Sequence, residues 1–337
     1  MCSSSTLSQS FLGEELVDEA KWHRARLIPV AGIRGHREAE QRVTSALLAV
    51  LSVVRDLSIE LLAPLGASSA LKASVETFTE VTLDYGDKRV RPDGVIRVSY
   101  GKRTFTTIVE VKTGNSKLDK DQVDTYRTAA GYAKFDHVLT ISNEIATSGA
   151  HPIQGLHVKR SARVQVSHLS WVRILTTALK LKNHKGVDDP EQAWILGELV
   201  RYLQHPASGV LELVDMGSNW TAVRDGSRAG TLKRQSDGTV EIAKKLDGLH
   251  VYAALMLSSE VGENVEVVLP KSLRAQNKRI ATFTTALISG EAIEGTLRIP
   301  HTASDIKTAI DLKAQLITVS VDLKAPEEKV RSVASVG

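Results

Sequence analysis

The stretch between Arg91 and Tyr126 holds the residues of this chain that are best suited to chemistry. Asp93 opens one apolar segment, and Glu110 and Lys112 close the next. Residues two apart in a β-strand point to the same face, so the side chains of Glu110 and Lys112 point the same way. A hairpin that turns at residues 100–102 brings Asp93 near Glu110. Two carboxylates and an ammonium group at one sheet edge suit the binding of a hard cation and a phosphate.

Six residues of this stretch carry a resemblance to a known family. They are Pro92, Asp93, Glu110 and Lys112, followed by Gln122 and Tyr126 in a Q-x-x-x-Y arrangement on the next helix. The set resembles the motif of the PD-(D/E)XK nuclease superfamily, and the likeness extends over residues 32–171. The resemblance implies an α/β fold with a restriction-endonuclease-like core, in which elements follow the order αβββαβ and helices flank a mixed central sheet. It also implies metal-dependent hydrolysis of phosphodiester bonds.

The family likeness implies a Mg²⁺ site, with Mn²⁺ as a substitute. Its ligands would be Asp93, Glu110, the backbone carbonyl of Val111, and Glu40. Glu40 precedes Val43 by three residues on the first predicted helix and so continues the apolar stripe of that helix. A buried acid needs a partner, so Glu40 either reaches the metal site or forms an ordinary ion pair. Glu38 faces solvent, where it can pair with Arg42.

The other candidate catalytic residues act on the substrate or on the site itself. Lys112 cannot bind a metal while it is protonated, but it can orient the attacking water or stabilise charge on the phosphate. Gln122 and Tyr126 lie one helical turn apart and share a face with small alanines, so that helix can lie close to a sheet. They would brace the site or touch the phosphate backbone. His168 is interpreted as a structural histidine.

The elements that must position these residues follow from periodicity and from helix-capping signals. In the N-terminal half we predict a helix at 36–55, an irregular link at 57–71, a strand at 78–85, a hairpin at 92–112, a helix that starts at Asp119 or Asp121 and ends near 134, a buried strand at 137–142, a strand at 164–169 and a helix at 171–182. The chain is divided into an N-terminal arm at 1–30 with a short helix at 11–26, a nuclease-like domain at 31–185, and a mixed α/β accessory domain at 186–330.

The accessory region is predicted to bind nucleic acid, a regulator or a partner. A helix starts at Asp189-Pro190, and strands are predicted at 251–257, 265–269, 295–299 and 316–323. A group of basic residues has helical spacing: Lys271, Arg274, Lys278 and Arg279. Such a group is either a solvated helix face or a surface that contacts DNA.

Composition limits the class of protein. The 337 residues are 42% hydrophobic, which is ample for a buried core. The net charge is +4 and the pI about 9.0, which permits a polyanionic partner. The single cysteine, Cys2, provides neither a disulfide framework nor a cysteine zinc site, so we expect a reducing, cytoplasmic setting. Without a long apolar run or a basic leader at residues 1–10, we expect no membrane span and no secretory signal.

Three functional hypotheses follow from the sequence. The first is a Mg²⁺-dependent nuclease that acts on DNA in preference to RNA, for which double-strand cutting would favour a homodimer. The family resemblance implies a role in bacterial defence or stress response. The second is a catalytically inactive nucleic-acid-binding or regulatory module that keeps the nuclease-like fold. In the third, the C-terminal half performs the function on its own.

Overall fold

The computed structural model of the chain describes residues 28, 36–147, 151–153, 155–210, 216–233 and 237–322. The helices are α1 (His36–Val53), α2 (Arg55–Leu62), α3 (Lys120–Tyr132), α4 (Trp171–Lys180), α5 (Pro190–Leu203), α6 (Trp220–Ala229), α7 (Asp237–Val261) and α8 (Gln276–Ser289). The strands are β1 (Ser74–Thr79), β2 (Leu83–Tyr85), β3 (Lys88–Val90), β4 (Gly94–Tyr100), β5 (Arg103–Val111), β6 (His137–Ser142), β7 (Gln165–Ser170), β8 (Glu266–Val267), β9 (Ile293–Arg298), β10 (Ile306–Asp311) and β11 (Leu316–Val321). The helix predicted at 11–26 lies outside the described residues.

The N-terminal half is built on a mixed five-stranded sheet in the order β1-β4-β5-β6-β7. The pairs β1–β4 and β4–β5 are antiparallel, whereas β5–β6 and β6–β7 are parallel. This confirms the predicted α/β class and the hairpin at 92–112. Every residue of β6 is buried, as expected for a central strand with both faces covered. Because β5, β6 and β7 are parallel, their carboxyl ends lie together at one edge of the sheet.

Strand alternation divides β5 between two hydrophobic clusters. Ile108 packs under α3 on one face, while Val109 and Val111 pack on the other face with α1, α4 and α5. All three valine and isoleucine side chains are fully buried. Each such burial contributes about 1.5–3 kcal/mol. The alternation leaves Glu110 on the α3 face.

A glycine allows α1 to lie close to this sheet. A Cβ atom on Gly94 would come within 2.5 Å of Leu48 Cδ1 and 2.9 Å of the carbonyl oxygen of Phe78. Both distances are shorter than van der Waals contact, so a larger residue would push α1 away from β4. The glycine that follows Asp93 therefore sets the distance between the first helix and the strand.

The C-terminal half has its own sheet, in the order β11-β10-β9-β8, and a separate hydrophobic cluster among α6, α7 and α8. The strand predicted at 251–257 is wrong, because these residues form the middle of α7, where Ala254 and Leu255 are buried. A short apolar run fits either a strand or a buried helix, and the 25-residue length of α7 decides the question. The helix α6 and the strand β10 were not predicted.

Two predictions in the N-terminal half are also corrected. The link at 57–71 contains α2, whose Leu57, Leu61 and Leu62 side chains are buried at helical spacing. The strand predicted at 78–85 is divided between β1 and β2, because Glu80 adopts a positive φ of 59° that ends the extended chain.

The two halves make contact with each other. Helix α5 lies beyond residue 185, yet its buried Leu199 and Leu203 belong to the same cluster as α1. Lys180 Nζ donates to Asn264 Oδ1 at 2.6 Å, which joins α4 to the segment after α7. The first hydrophobic core therefore continues past the predicted domain boundary. None of the described helices is both long and apolar enough to span a membrane.

We predict that Gly94→Ala lowers the free energy of unfolding by about 1–3 kcal/mol, because the added methyl group overpacks the contact with Leu48. Chemical denaturation followed by circular dichroism measures this change. Gly131→Ala is the matched control, since a Cβ there meets no atom within 4 Å in α3. That control should be neutral or stabilising by up to about 1 kcal/mol. Equal effects of the two substitutions would contradict the close approach.

Candidate active site

A lysine and two glutamates meet at the carboxyl end of β5. Lys112 Nζ lies 2.6 Å from Glu110 Oε1 and 3.5 Å from Glu40 Oε1. The same ammonium group donates to the carbonyl oxygen of Val111 at 3.1 Å. Three oxygen atoms from α1 and β5 therefore surround one cationic group. Glu40 reaches the site from α1, whereas Glu38 forms the expected ion pair with Arg42 at 2.6 Å.

Asp93 is held beside this group by the backbone of β5. Its Oδ2 accepts a hydrogen bond from the Val111 N–H at 2.7 Å. The register of the hairpin explains this contact, because Gly94 pairs with Val109 and Asp93 comes one residue earlier. The Asp93 carboxylate also raises the pKa of both Glu40 and Glu110, which places its charge near both. The structure thus brings together the four charged residues predicted from the sequence.

Gln122 and Tyr126 form a hydrogen-bonded chain that leads to Glu110. Gln122 Nε2 donates to the Tyr126 hydroxyl oxygen at 3.0 Å, so the phenol proton is available to Glu110, with which Tyr126 is hydrogen bonded. Asp119 caps α3 by accepting from the Gln122 N–H at 2.8 Å. Burial of Ala129 and Ala130 lets the helix lie against the sheet, as predicted. These contacts fix the orientation of the Glu110 carboxylate.

Burial makes the protonation of this cluster sensitive to pH. Desolvation, together with the Asp93 charge, raises the pKa of Glu110 to about 7, although Lys112 and Tyr126 oppose the shift. Desolvation also raises the pKa of Glu40, against the attraction of Lys112. Burial alone lowers the pKa of Lys112, but Glu110 and Glu40 outweigh it, so this pKa is raised. Near pH 7 the lysine stays charged while Glu110 is partly protonated.

Several supporting contacts were not predicted. Trp171 Nε1 donates to the Lys112 carbonyl oxygen at 2.9 Å, and the Lys112 N–H donates to the Ile141 carbonyl oxygen at 2.8 Å. The N–H of Thr113 bonds to the Glu40 carboxylate. These contacts join residues that are far apart in sequence, and most of them involve backbone atoms. No sequence pattern therefore predicts them. They hold the chain rigidly on both sides of the Lys112 side chain.

The segment after α5 also supports the loop that follows Lys112. The carbonyl oxygen of Gly209 accepts from the Gly114 N–H at 2.9 Å and from Asn143 Nδ2 at 2.9 Å. Asn143 Nδ2 lies 3.1 Å from the Gly114 carbonyl oxygen as well. The ends of β5 and β6 are therefore tied to one turn of the C-terminal half.

Next to Glu110, a threonine and two histidines form a hydrogen-bonded relay. His168 Nε2 is 2.8 Å from the Glu144 carbonyl oxygen, which can only accept, so this nitrogen carries the proton. His168 Nδ1 then accepts from the Thr140 hydroxyl at 3.0 Å, and Thr140 Oγ1 accepts from His151 Nε2 at 2.9 Å. His151 Nδ1 accepts from the Ile153 N–H at 3.2 Å. Every donor in the relay has an acceptor when both imidazoles are neutral, and the Thr140 hydroxyl has a second one, the Ser167 carbonyl oxygen at 3.3 Å.

Burial keeps these histidines neutral. Desolvation lowers the pKa of His151 to about 4 and that of His168 to about 3. In the parallel register Thr140 lies beside Glu110, and His168 lies beside Thr140. The relay therefore fastens the segment after β6 to the sheet beside the site. Both ring nitrogens of His168 are hydrogen bonded, as the interpretation of a structural histidine requires.

The oxygen atoms of the cluster are of the type that binds hard metal ions. Within the described ranges, no group of three or more His, Cys, Asp or Glu side chains is arranged to hold a metal. The donor chemistry nevertheless fits a hard divalent cation, because Glu40 Oε1, Glu110 Oε1 and the Val111 carbonyl oxygen already converge on one cationic centre, the Lys112 ammonium. In this arrangement the lysine neutralises the oxygens that a metal would use.

We predict that Lys112→Met raises the pKa of Glu110 further above about 7, because the substitution removes the ammonium that favours the carboxylate. Carboxyl ¹³C NMR titration measures this pKa directly. Since the folded pKa exceeds the unfolded value of 4.5, the native state binds the proton more tightly. The contribution of Glu110 to stability therefore falls as pH rises from about 4.5 to about 7, and the variant extends this loss to higher pH.

Lys120→Met is the control for this titration, since Lys120 is exposed and pairs with Asp124 at 2.8 Å. An unchanged or lower Glu110 pKa in the Lys112 variant would show that the ammonium does not act on this carboxylate.

We predict that Thr140→Val lowers the free energy of unfolding at pH 7.5 by about 1–3 kcal/mol, because two half-buried imidazoles each lose a hydrogen-bond partner. Denaturant titration measures the loss. The control is Thr285→Val, whose exposed hydroxyl bonds only to the Ala281 carbonyl oxygen of its own helix. That variant should differ from the parent by no more than about 0.5 kcal/mol. If the two variants are equally stable, the relay does not fasten the segment.

Comparison of the chain with protein-family models, with curated proteins and with solved structures gave no match in any of the three.

Proposed function

We propose that this protein is a metal-dependent nuclease that hydrolyses phosphodiester bonds, with DNA as its substrate. The observation that carries the proposal is the placement of the Lys112 ammonium among Glu110, Glu40 and Asp93 at the end of β5. The order α1, β1, β4, β5, α3, β6 around a mixed sheet supports the restriction-endonuclease-like arrangement that the resemblance to PD-(D/E)XK nucleases implies.

The proposed ligands of Mg²⁺, or of Mn²⁺ in its place, are Asp93, Glu110, Glu40 and the Val111 carbonyl oxygen. When bound, the metal supplies charge neutralisation at the phosphate and lowers the pKa of a water nucleophile. Lys112 stabilises negative charge that develops on the phosphate oxygens, which is the role of a preorganised cation.

The remaining residues act on the orientation and ionisation of Glu110. Tyr126, itself held by Gln122, donates to the Glu110 carboxylate and limits its rotation. Ligand carboxylates must be ionised, so a Glu110 pKa of about 7 makes metal binding compete with a proton near neutral pH. This competition predicts an activity that increases with pH through about 7 when the metal is limiting.

The alternative function is an inactive module that binds nucleic acid or a regulator through the same fold. One observation favours it: the Lys112 ammonium already forms ion pairs with Glu110 and Glu40, the same oxygens that a metal would use. In that case Asp93, Glu110 and Lys112 would be a buried polar support for the sheet edge. Binding of DNA without cleavage in Mg²⁺ and in Mn²⁺ would support this function.

We predict that the purified protein cuts plasmid or single-stranded DNA in Mg²⁺ or Mn²⁺, and that Asp93→Asn and Lys112→Met each slow cleavage by at least about 100-fold. Gel-based rates at several pH values measure both the loss and the increase through about pH 7.

The matched controls are Asp87→Asn and Lys102→Met, which change exposed residues in turns away from the site and should leave the rate unchanged. Cleavage that persists at the parent rate in both site variants would reject Asp93 and Lys112 as the active site.

A further inference from the structure

Three exposed cations project from the turn that leads into α8. Lys271 lies in the short 3₁₀ turn Lys271–Leu273, Arg274 follows it, and Lys278 lies in the first turn of α8. All three side chains are solvent exposed. Within the described part of the chain, none of them forms an ion pair with an acidic residue. No described acidic residue therefore neutralises their positive charge.

The fourth basic residue of this group, Arg279, is buried, although the sequence placed it with the solvated or DNA-contacting residues. It is 1% exposed and forms a two-pronged ion pair with Asp247 at 2.8 and 3.0 Å. Its Nη1 also donates to the carbonyl oxygens of Leu273 and Arg274, both at 2.9 Å. A buried guanidinium thus fixes the backbone of the turn, so the exposed cations are carried on a rigid support.

The turn docks beside the candidate active site. Gln276 Nε2 donates to Thr147 Oγ1 at 2.9 Å. Thr147 belongs to the segment that follows β6, and Asn143 of the same segment bonds to the Gly114 carbonyl oxygen near Lys112. The cations of the turn therefore lie at the same end of the central sheet as Glu110.

Arg173 adds a fourth cation at this end of the sheet. It lies in the first turn of α4, directly after β7, and its side chain is exposed without an acidic partner among the described residues. The positive end of a helix dipole disfavours a cation and attracts an anion. Desolvation by the surrounding protein lowers the pKa of Arg173. Helix α4 follows β7 directly, and β7 is two strands from β5 in the sheet.

We propose that Arg173, Lys271, Arg274 and Lys278 bind the phosphodiester backbone of a nucleic acid and direct it to the Glu110–Lys112 cluster. Unpaired cations on rigid supports neutralise phosphates without first breaking an internal ion pair, and each released counterion favours binding. This inference rests on the proposed nuclease function and gives the C-terminal half its role, which is to hold the substrate.

The test measures binding separately from cleavage. Fluorescence anisotropy of a labelled DNA duplex in EDTA, at several salt concentrations, compares the full-length protein with the triple variant Lys271→Gln, Arg274→Gln, Lys278→Gln. We expect the Kd at low salt to increase at least about tenfold and the slope of log Kd against log salt to decrease by about 3. Arg173→Gln should weaken binding in the same direction and decrease the slope by about 1.

The control is Lys88→Gln, Lys102→Gln, Arg103→Gln, which removes the same charge from exposed positions on β3 and at the β4–β5 turn. Equal Kd values and salt slopes for the two triple variants would overturn the proposed surface.

A further variant, Asp93→Asn, separates the proposed surface from the proposed nuclease function, and in EDTA it should bind DNA like the parent. Suppose that neither the parent nor Asp93→Asn cuts DNA, but the triple variant at Lys271, Arg274 and Lys278 still binds DNA more weakly. That result supports the proposed surface and rejects the nuclease function. If the parent cuts DNA but the triple variant binds DNA as tightly as the parent, only the proposed surface is rejected.

Discussion

The structure depends most on the contact between the Lys112 ammonium and the carboxylate of Glu110, which is 2% exposed. A carboxylate with so little access to water is costly unless a cation and further hydrogen bonds compensate it. Lys112 supplies the cation and Tyr126 supplies a hydrogen bond, yet the pKa of Glu110 remains near 7. The compensation is therefore incomplete, and the fold keeps a carboxyl group that exchanges its proton near neutral pH. Perturbed groups of this kind are frequent at functional sites.

Keeping this contact in place requires support from every layer of the molecule. Gly94 lets α1 approach the sheet, and only that approach brings Glu40 to within 3.5 Å of Lys112. Trp171 holds the Lys112 carbonyl from α4, and Gly209 holds the following loop from the turn after α5. The site is thus built on rigid elements of both halves, which is the condition for a precise arrangement of charged groups.

The sequence predicts those parts of this arrangement that depend on short-range spacing. Glu110 and Lys112 share a face because strands alternate, and Gln122 and Tyr126 meet because four residues make one helical turn. The sequence does not reveal long-range backbone contacts such as that between Trp171 and Lys112, nor does it show that Arg279 turns inward to Asp247. Basic residues three to five apart look alike in sequence, and only the packing of α7 against α8 separates the buried one from the exposed ones. The helix at residues 251–257 was missed for a related reason, since a short apolar run fits a strand and a helix equally well.

The ion pairs of Arg279 and Lys112 show how burial can serve different ends. Arg279 directs four hydrogen bonds to three fixed acceptor residues, and Asp247 engages it with both oxygens. Breaking this pair would leave a buried guanidinium without partners, so the pair acts as a permanent cross-link. Lys112 instead contacts a carbonyl oxygen and two carboxylates whose pKa values are raised, and it is 18% exposed. Its partners can change protonation, and its ammonium can be approached from solvent. These are the properties that a phosphate or a metal ion requires of a site, and the Arg279 pair has neither.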